Sequence, residues 1–259
     1  MDRKSSPIDQ PSYPSSATSR LYVGTSASAY PIWKPGFYPA GVSTRNFLHF
    51  YASQLNSVEV NYTFRTLPTP DAIARWLSET SDGFRFSFKA PQRITHFNRL
   101  CDCEALLAEF FDAHQPVAAA AKLGLVLFQL PPNFKADLPR LSSFLAAPAF
   151  RRRSAPRIAF EFRHASWFTD ETAALLRQHS AAFCIAETDE LKTPEVHTAS
   201  GFTCFRLRHT GGYKPRQINA FAARFRTVAL ERDVYVYFKH EDEPTGALNA
   251  LALLRKAAK

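Results

Sequence analysis

Long apolar runs are missing from this sequence. Nothing in it approaches the ~18 apolar residues that a membrane span needs. The first residues also lack the apolar core of a secretory signal, so the expectation is a soluble, cytoplasmic chain with no membrane partner. Cysteine is scarce: only Cys101, Cys103, Cys184 and Cys204 occur. Cys101 and Cys103 form a C-x-C, but no second Cys/His pair sits at zinc-finger spacing, which argues against a structural zinc site. The four do not make a disulfide framework and suit a reducing cytosol. Cys184 and Cys204 fall inside apolar strand patterns and are expected to be small core residues. There is no G-x-S-x-G, no H-E-x-x-H and no Walker A motif, which lowers the common hydrolase, zincin and nucleoside-triphosphatase readings. The glycine-rich phosphate turn of a doubly wound sheet is missing too.

What is present is aromatic and basic. The 259 residues are 46% hydrophobic and include 23 Phe, enough for a sizeable core. The formal net charge is +9, which favours an anionic partner: a nucleic acid, a phosphorylated metabolite or a carboxylate. Net charge speaks to association and solubility rather than to a site, so a solvated basic surface is the competing account.

Residues 1–20 are rich in Ser and Pro without periodicity and read as a disordered tail. From Leu21 a single domain, 21–259, alternates strand and helix patterns. Strands are expected at 21–26, 57–63, 84–89, 124–130, 157–163, 182–188, 202–208 and 233–239. Between most of them lie helical patterns. The clearest follows Thr69-Pro70-Asp71, a cap with proline at the first helical position. The connection 189–201 is expected to lack a full helix. Eight strands with helical crossovers fit a (β/α)8 TIM-type barrel with parallel strands, whose usual length is ~250 residues.

The segment 158–168 shows how such a strand would meet a site. Ile158, Phe160 and Phe162 alternate with Ala159, Glu161 and Arg163, so the carboxylate and the guanidinium project to one side. His164 follows where the strand should stop. Thr169 then caps a helix whose first turn carries Asp170 and Glu171. Other strands repeat the pattern: Glu59 and Asn61 in the second, Ser87 and Lys89 in the third, Arg206 and Arg208 in the seventh. Their aromatic faces should meet helices and their charged faces should converge. Buried charges are costly unless paired, so Glu59 and Glu161 are expected to pair with Lys89, Arg163 or Arg206. A network that only neutralises itself is the structural alternative to a working pocket at the C-terminal mouth.

Several motifs resemble the YecE-like family, catalogued as domain of unknown function 72. They are Gly24-Thr25-Ser26 with Tyr30 and Trp33, Val58-Glu59-Val60-Asn61, Phe88-Lys89-Ala90-Pro91 with Arg93-Ile94-Thr95-His96, Leu127-Phe128-Gln129-Leu130-Pro131-Pro132, and Phe162-Arg163-His164 with Ser166-Trp167. The resemblance covers roughly 21–256 and implies a TIM-type barrel similar to the xylose-isomerase and endonuclease IV type, but no established activity. Two departures stand out: Ala27-Ser28 replaces the usual Gly-Trp, and the last strand runs into Lys239-His240-Glu241-Asp242 where Phe-Asn-Asn is common.

The expectation is an enzyme, or former enzyme, of acid/base type, hydrolase or lyase, acting on a phosphate- or carboxylate-bearing substrate. Glu59, Glu161, His164 and His96 are the candidate catalytic groups. Lys89, Arg163, Asn61, Gln129, Arg208, Tyr30, Trp33, Trp167 and His240 are the candidate substrate-binding groups. No cofactor is predicted. A divalent metal on Glu59, Glu161, Glu187 and His240 is the chemically open alternative, opposed by the nearby Lys89 and Arg163. A nucleic-acid binder and a metal-dependent, endonuclease-like hydrolase are the other function classes.

Overall fold

The computed structural model describes residues 21–239 and 242–258. The proposed disordered tail, 1–20, and the pair His240 and Glu241 lie outside the described residues. The chain alternates strands and helices: β1 (Leu21–Thr25), α1 (Phe47–Gln54), β2 (Ser57–Val60), α2 (Pro70–Ser78), β3 (Arg85–Lys89), α3 (Glu104–Ala113), α4 (Gln115–Ala119), β4 (Leu123–Gln129), α5 (Leu138–Leu145), β5 (Ile158–Glu161), α6 (Asp170–Gln178), β6 (Ala182–Phe183), β7 (Ile185–Glu187), β8 (Phe202–Leu207), α7 (Pro215–Val228), β9 (Asp233–Phe238) and α8 (Thr245–Ala257). Among the described residues, no helix is long and apolar enough to cross a membrane.

All strand pairs are parallel, and they form two sheets, β1-β9-β8-β7 and β2-β3-β4-β5-β6. This differs from the single eight-stranded barrel expected from the sequence. The expected strand 182–188 divides at Cys184. β6 pairs with β5, Cys184 N donates to Phe160 O, and β7 then pairs with β8. The other seam lies between β1 and β2. Only Ser26 and Glu59 form a backbone bridge there, and side chains supply what the missing ladder would. Asn56 Oδ1 accepts from Val23 N at 2.7 Å while its amide donates to Leu21 O, and Tyr51 Oη accepts from Thr25 N at 2.8 Å. Buried backbone donors are thereby satisfied without strand pairing.

Helix starts follow local chemistry. Thr69 Oγ1 accepts from Ala72 N and Thr169 Oγ1 from Thr172 N, both at 3.2 Å, which fixes α2 and α6 where their caps stand. The connection 189–201 holds no helix, as its composition suggests.

Alternation along the strands sorts the side chains. Phe86, Phe88, Phe128 and Phe160 point at the helices and are buried there; Trp76 of α2 stacks on Phe86 and Phe88. Each such ring contributes roughly 1.5–3 kcal/mol by leaving water. The opposite face is not uniformly charged. Its middle is a second apolar cluster that includes Leu125, Leu127, Ala159, Cys184, Cys204 and Tyr237. At the C-terminal ends Glu59, Lys89, Gln129, Glu161 and Arg206 are buried, and at the opposite ends Arg157 pairs with Asp233 at 2.6 Å.

Gly24 tests the β1–β2 seam. A Cβ there would lie 1.8 Å from Ser57 O, a backbone atom with no room to retreat. Gly24→Ala should therefore destabilise by at least the ~1–3 kcal/mol of an overpacked core, whereas Gly83→Ala, with nothing within 4 Å, should not. Urea unfolding of both variants checks this, and equal midpoints would show the seam to be loose.

Candidate functional site

The strand ends meet at one guanidinium. Arg206 from β8 reaches across to β2, where its Nε donates to Glu59 Oε2 at 2.9 Å and its Nη2 to Glu59 Oε1 at 2.8 Å. Its Nη1 donates to Glu161 Oε2 on β5. Ser26 Oγ, just after β1, donates to Glu59 Oε1 at 2.7 Å and accepts from Arg206 Nη2 at 3.1 Å and from Asn61 Nδ2 at 2.7 Å. Glu161 Oε1 accepts from Gln129 Nε2 and from Arg163 Nε, each at 2.9 Å. All four carboxylate oxygens therefore have donors. A bidentate pair with a donor on every carboxylate oxygen is the arrangement that makes buried ions tolerable.

Lys89 stands apart from this pairing. Its side chain is 9% exposed, and its Nζ lies 4.0 Å over the Phe64 ring. No carboxylate lies within ion-pair distance of it among the described residues. Burial pulls its ammonium down to about 8, and the charge of Arg206 adds to that, against the opposing pull of Glu59 and Glu161. His96 packs edge-on against the same Phe64 ring, 4.9 Å between centroids. It lies in a π-helical turn, Arg93–Phe97, a local form that recurs at functional sites. Burial first, then the charges of Lys89, Arg163 and Arg99, hold His96 down to about 4, so it is neutral at pH 7. For Glu161 burial alone would raise the carboxyl, but Arg206 and Arg163 outweigh it and hold it at about 2. Asn61 Oδ1 is buried without a hydrogen-bond partner among the described residues.

Arg163 is 29% exposed. It lines a cavity of about 320 Å3 whose walls also include Glu161, Asp189, Thr188, Arg208 and Thr210. Neither the Nη groups of Arg163 nor the Arg208 side chain has a partner among the described residues.

The structure thus brings Glu59, Glu161, Asn61, Lys89, Gln129, His96 and Arg163 together, with Arg208 at the rim. Asn61 does so after the strand has ended: β2 stops at Val60 and Asn61 begins a short 3-10 turn. Other expected residues belong elsewhere. Trp33 and Trp167 are fully buried among aromatic rings, and Trp167 Nε1 donates to Phe134 O at 2.8 Å, so neither offers a face to a ligand. Tyr30 packs on Trp33. His164 caps a short 3-10 turn: its Nδ1 accepts from Ser166 N at 3.1 Å, which commits that nitrogen to local structure. His240 lies outside the described residues. The pattern of alternate residues did not reveal Asp189, which accepts from Thr210 N and bonds His209 Nδ1 at 2.5 Å in the loop region beside the cavity. Both residues sit in irregular segments, where no periodicity marks them.

Arg206 fills the space between Glu59 and Glu161 that a cation would need, so these carboxylates do not fit a divalent metal in this arrangement. Among the described residues no three His, Cys, Asp or Glu side chains gather as metal ligands would.

The pairing makes Glu161 a test of the network. Glu161→Leu should strand Arg206 and Arg163 and cost ~3–5 kcal/mol, while Glu161→Gln keeps hydrogen-bonding capacity and should cost less. Because the folded Glu161 sits below its unfolded value of 4.5, its contribution is present above that pH and lost as pH falls toward about 2. Thermal melts of wild type should show that loss, and Glu161→Gln should lack it. Equal melting temperatures for the Leu and Gln variants at pH 7 would mean that Glu161 carries no buried pair.

Comparison with known proteins gives the chain a family. A model described as "Protein of unknown function DUF72" matches residues 22–259. The chain is 36% identical over 126 residues to the UPF0759 protein YecE of Escherichia coli K12, covering 48% of this chain and 43% of that one. It is 30% identical over 169 residues to the UPF0759 protein YunF of Bacillus subtilis, covering 62% and 59%. The matches thus span about half the length of these curated relatives. A DUF72 family crystal structure from Thermotoga maritima shares the fold with a TM-score of 0.78 at 24% identity, covering 92% of this chain and 99% of that one. One from Enterococcus faecalis gives 0.77 at 18%, covering 93% and 96%. The family match, spanning both sheets and every strand end described above, establishes that this chain belongs to the DUF72 family.

Proposed function

We propose that the protein is an enzyme acting on a small phosphate- or carboxylate-bearing molecule, bound where the strand ends of the two sheets meet as the mouth of one barrel. One observation carries the reading: Arg163 and Arg208 line the same 320 Å3 cavity with guanidinium donors that no described residue uses. Arg163 spends its Nε on Glu161, which fixes the fork and leaves its outer nitrogens for a planar anion. Arg208 supplies a second fork from the end of β8. Neutral His96 is the group left for proton transfer on a bound substrate, while Glu161, with donors on both oxygens, holds Arg163 and Arg206 in place. Glu59 acts through Arg206 and holds it in place. Four free thiols accord with a cytoplasmic setting. A nucleic acid on the basic surface is the second reading; its binding would fall steeply with salt, since each phosphate contact releases counterions.

The test is ligand-induced stabilisation. Millimolar phosphate or a dicarboxylate should raise the melting temperature, by about 1.4 kcal/mol of stability at ten times the dissociation constant. Arg163→Met with Arg208→Met should remove that rise. An unchanged rise in the double variant would place the anion elsewhere and leave this cavity without a role.

A further inference from the structure

The charge balance at the strand ends leaves one cation over. Two carboxylates, Glu59 and Glu161, face three buried or half-buried cations, Arg206, Arg163 and Lys89. Arg206 and Arg163 pair with the carboxylates, and neither carboxylate comes within ion-pair distance of Lys89. Lys122 shows what a lysine buried for structure does: its Nζ donates to Leu77 O at 2.9 Å and to Thr80 O at 2.7 Å, whereas Lys89 Nζ donates to no oxygen among the described residues. Lys89 lies against an aromatic face, while its backbone O accepts from Thr63 Oγ1 at 2.8 Å and fixes its root.

We propose that Lys89 is a carbonyl-condensing amine, forming a Schiff base with a small aldehyde or 2-oxo acid. The anionic end of a 2-oxo acid would rest on Arg163 and Arg208, so the choice of that substrate rests on the anion-binding reading above. The step balances without a redox partner. The ammonium first loses a proton to solvent. The free amine adds to the carbonyl carbon, its two N–H protons pass through solvent to the carbonyl oxygen, and that oxygen leaves as water when the C=N bond forms. His96 shares the Phe64 ring with Lys89 and carries no charge at pH 7, so it does not compete for the anion. Asn61 Oδ1, buried and unpartnered, is an acceptor for the carbinolamine hydroxyl.

The amine is also the right kind of group. The charges that bear on it are Arg206 from β8, Glu59 from β2, Glu161 from β5 and Lys239 after β9; with burial they bring it to about 8. The neutral fraction therefore grows as pH rises through about 8 and is much larger at pH 7 than that of an ordinary lysine near 10.4.

Reductive trapping tests this on the full chain. The protein is incubated at pH 7 with glyoxylate, or with the uncharged glycolaldehyde, and with sodium cyanoborohydride; peptide mass spectrometry then locates the adducts. Lys89 should be labelled at least tenfold faster than any other lysine by both reagents, and its rate should climb between pH 7 and 9. Lys89→Arg, if it melts as wild type does, should lose that adduct alone. Arg163→Met with Arg208→Met should slow glyoxylate and leave glycolaldehyde unchanged. Loss of anion binding with Lys89 labelling intact would overturn the proposed grip and spare the amine. Labelling spread evenly over the lysines, or a Lys89 adduct no faster than the rest, would overturn the proposal.

Discussion

The guanidinium of Arg206 is the contact on which the strand ends depend. It joins β8 to β2 and β5, partners 147 and 45 residues away in sequence that both belong to the other sheet. Taking three charged groups out of water is expensive, and their attraction repays this only when the geometry leaves no lone pair or proton unused. Here Ser26, Gln129 and Arg163 complete what Arg206 begins. The network is therefore a device for holding polar groups in a fixed array more than a source of net stability. The apolar interior beneath it and the aromatic layer outside it carry the hydrophobic gain.

That array was partly legible in the sequence. Alternation at period two put Phe86 and Phe88 on one side of β3 and Ser87 and Lys89 on the other, because a strand leaves no other choice. The same logic joined Glu59, Glu161 and an arginine, since buried carboxylates need partners. What alternation cannot supply is the partition among partners. Lys89, Arg163 and Arg206 were equivalent candidates on paper; only the three-dimensional reach of Arg206 from β8 settles which takes both carboxylates. The two tryptophans show the converse. Trp33 and Trp167 stand beside motif residues in sequence, yet their area drives them into the core, and proximity along the chain says nothing of which way a ring turns. His164 follows the end of β5 as the pattern implies, and there it caps a short turn, a role that any residue with a well-placed acceptor can fill.

The expected closed barrel met a similar limit. Strand existence follows from local pattern, whereas closure depends on hydrogen-bond register between distant strands. Register fails at two places. At Cys184 the chain passes from one sheet to the other, and between β1 and β2 the approach of Gly24 to Ser57 leaves the ladder to Asn56 and Tyr51 side chains. Neither substitution of side chain for backbone has a sequence signature.

The second seam and the charged cluster share residues. Ser26 and Glu59 form the backbone bridge that ends the β1–β2 approach, and the same two side chains hold Arg206. Any change in charge at Arg206 or Glu59 must therefore act on the seam, and any loosening of the seam must move the groups that set the field at Lys89. Because Glu59 accepts from Ser26 and Arg206 together, the carboxylate cannot turn toward Lys89 without giving up donors on both sides. The surplus cation is thus kept unpaired by the same hydrogen bonds that join the sheets. An anion entering beside Arg163 would find positive charge already in place and would bind without first breaking an ion pair, which lowers the reorganisation that binding must overcome.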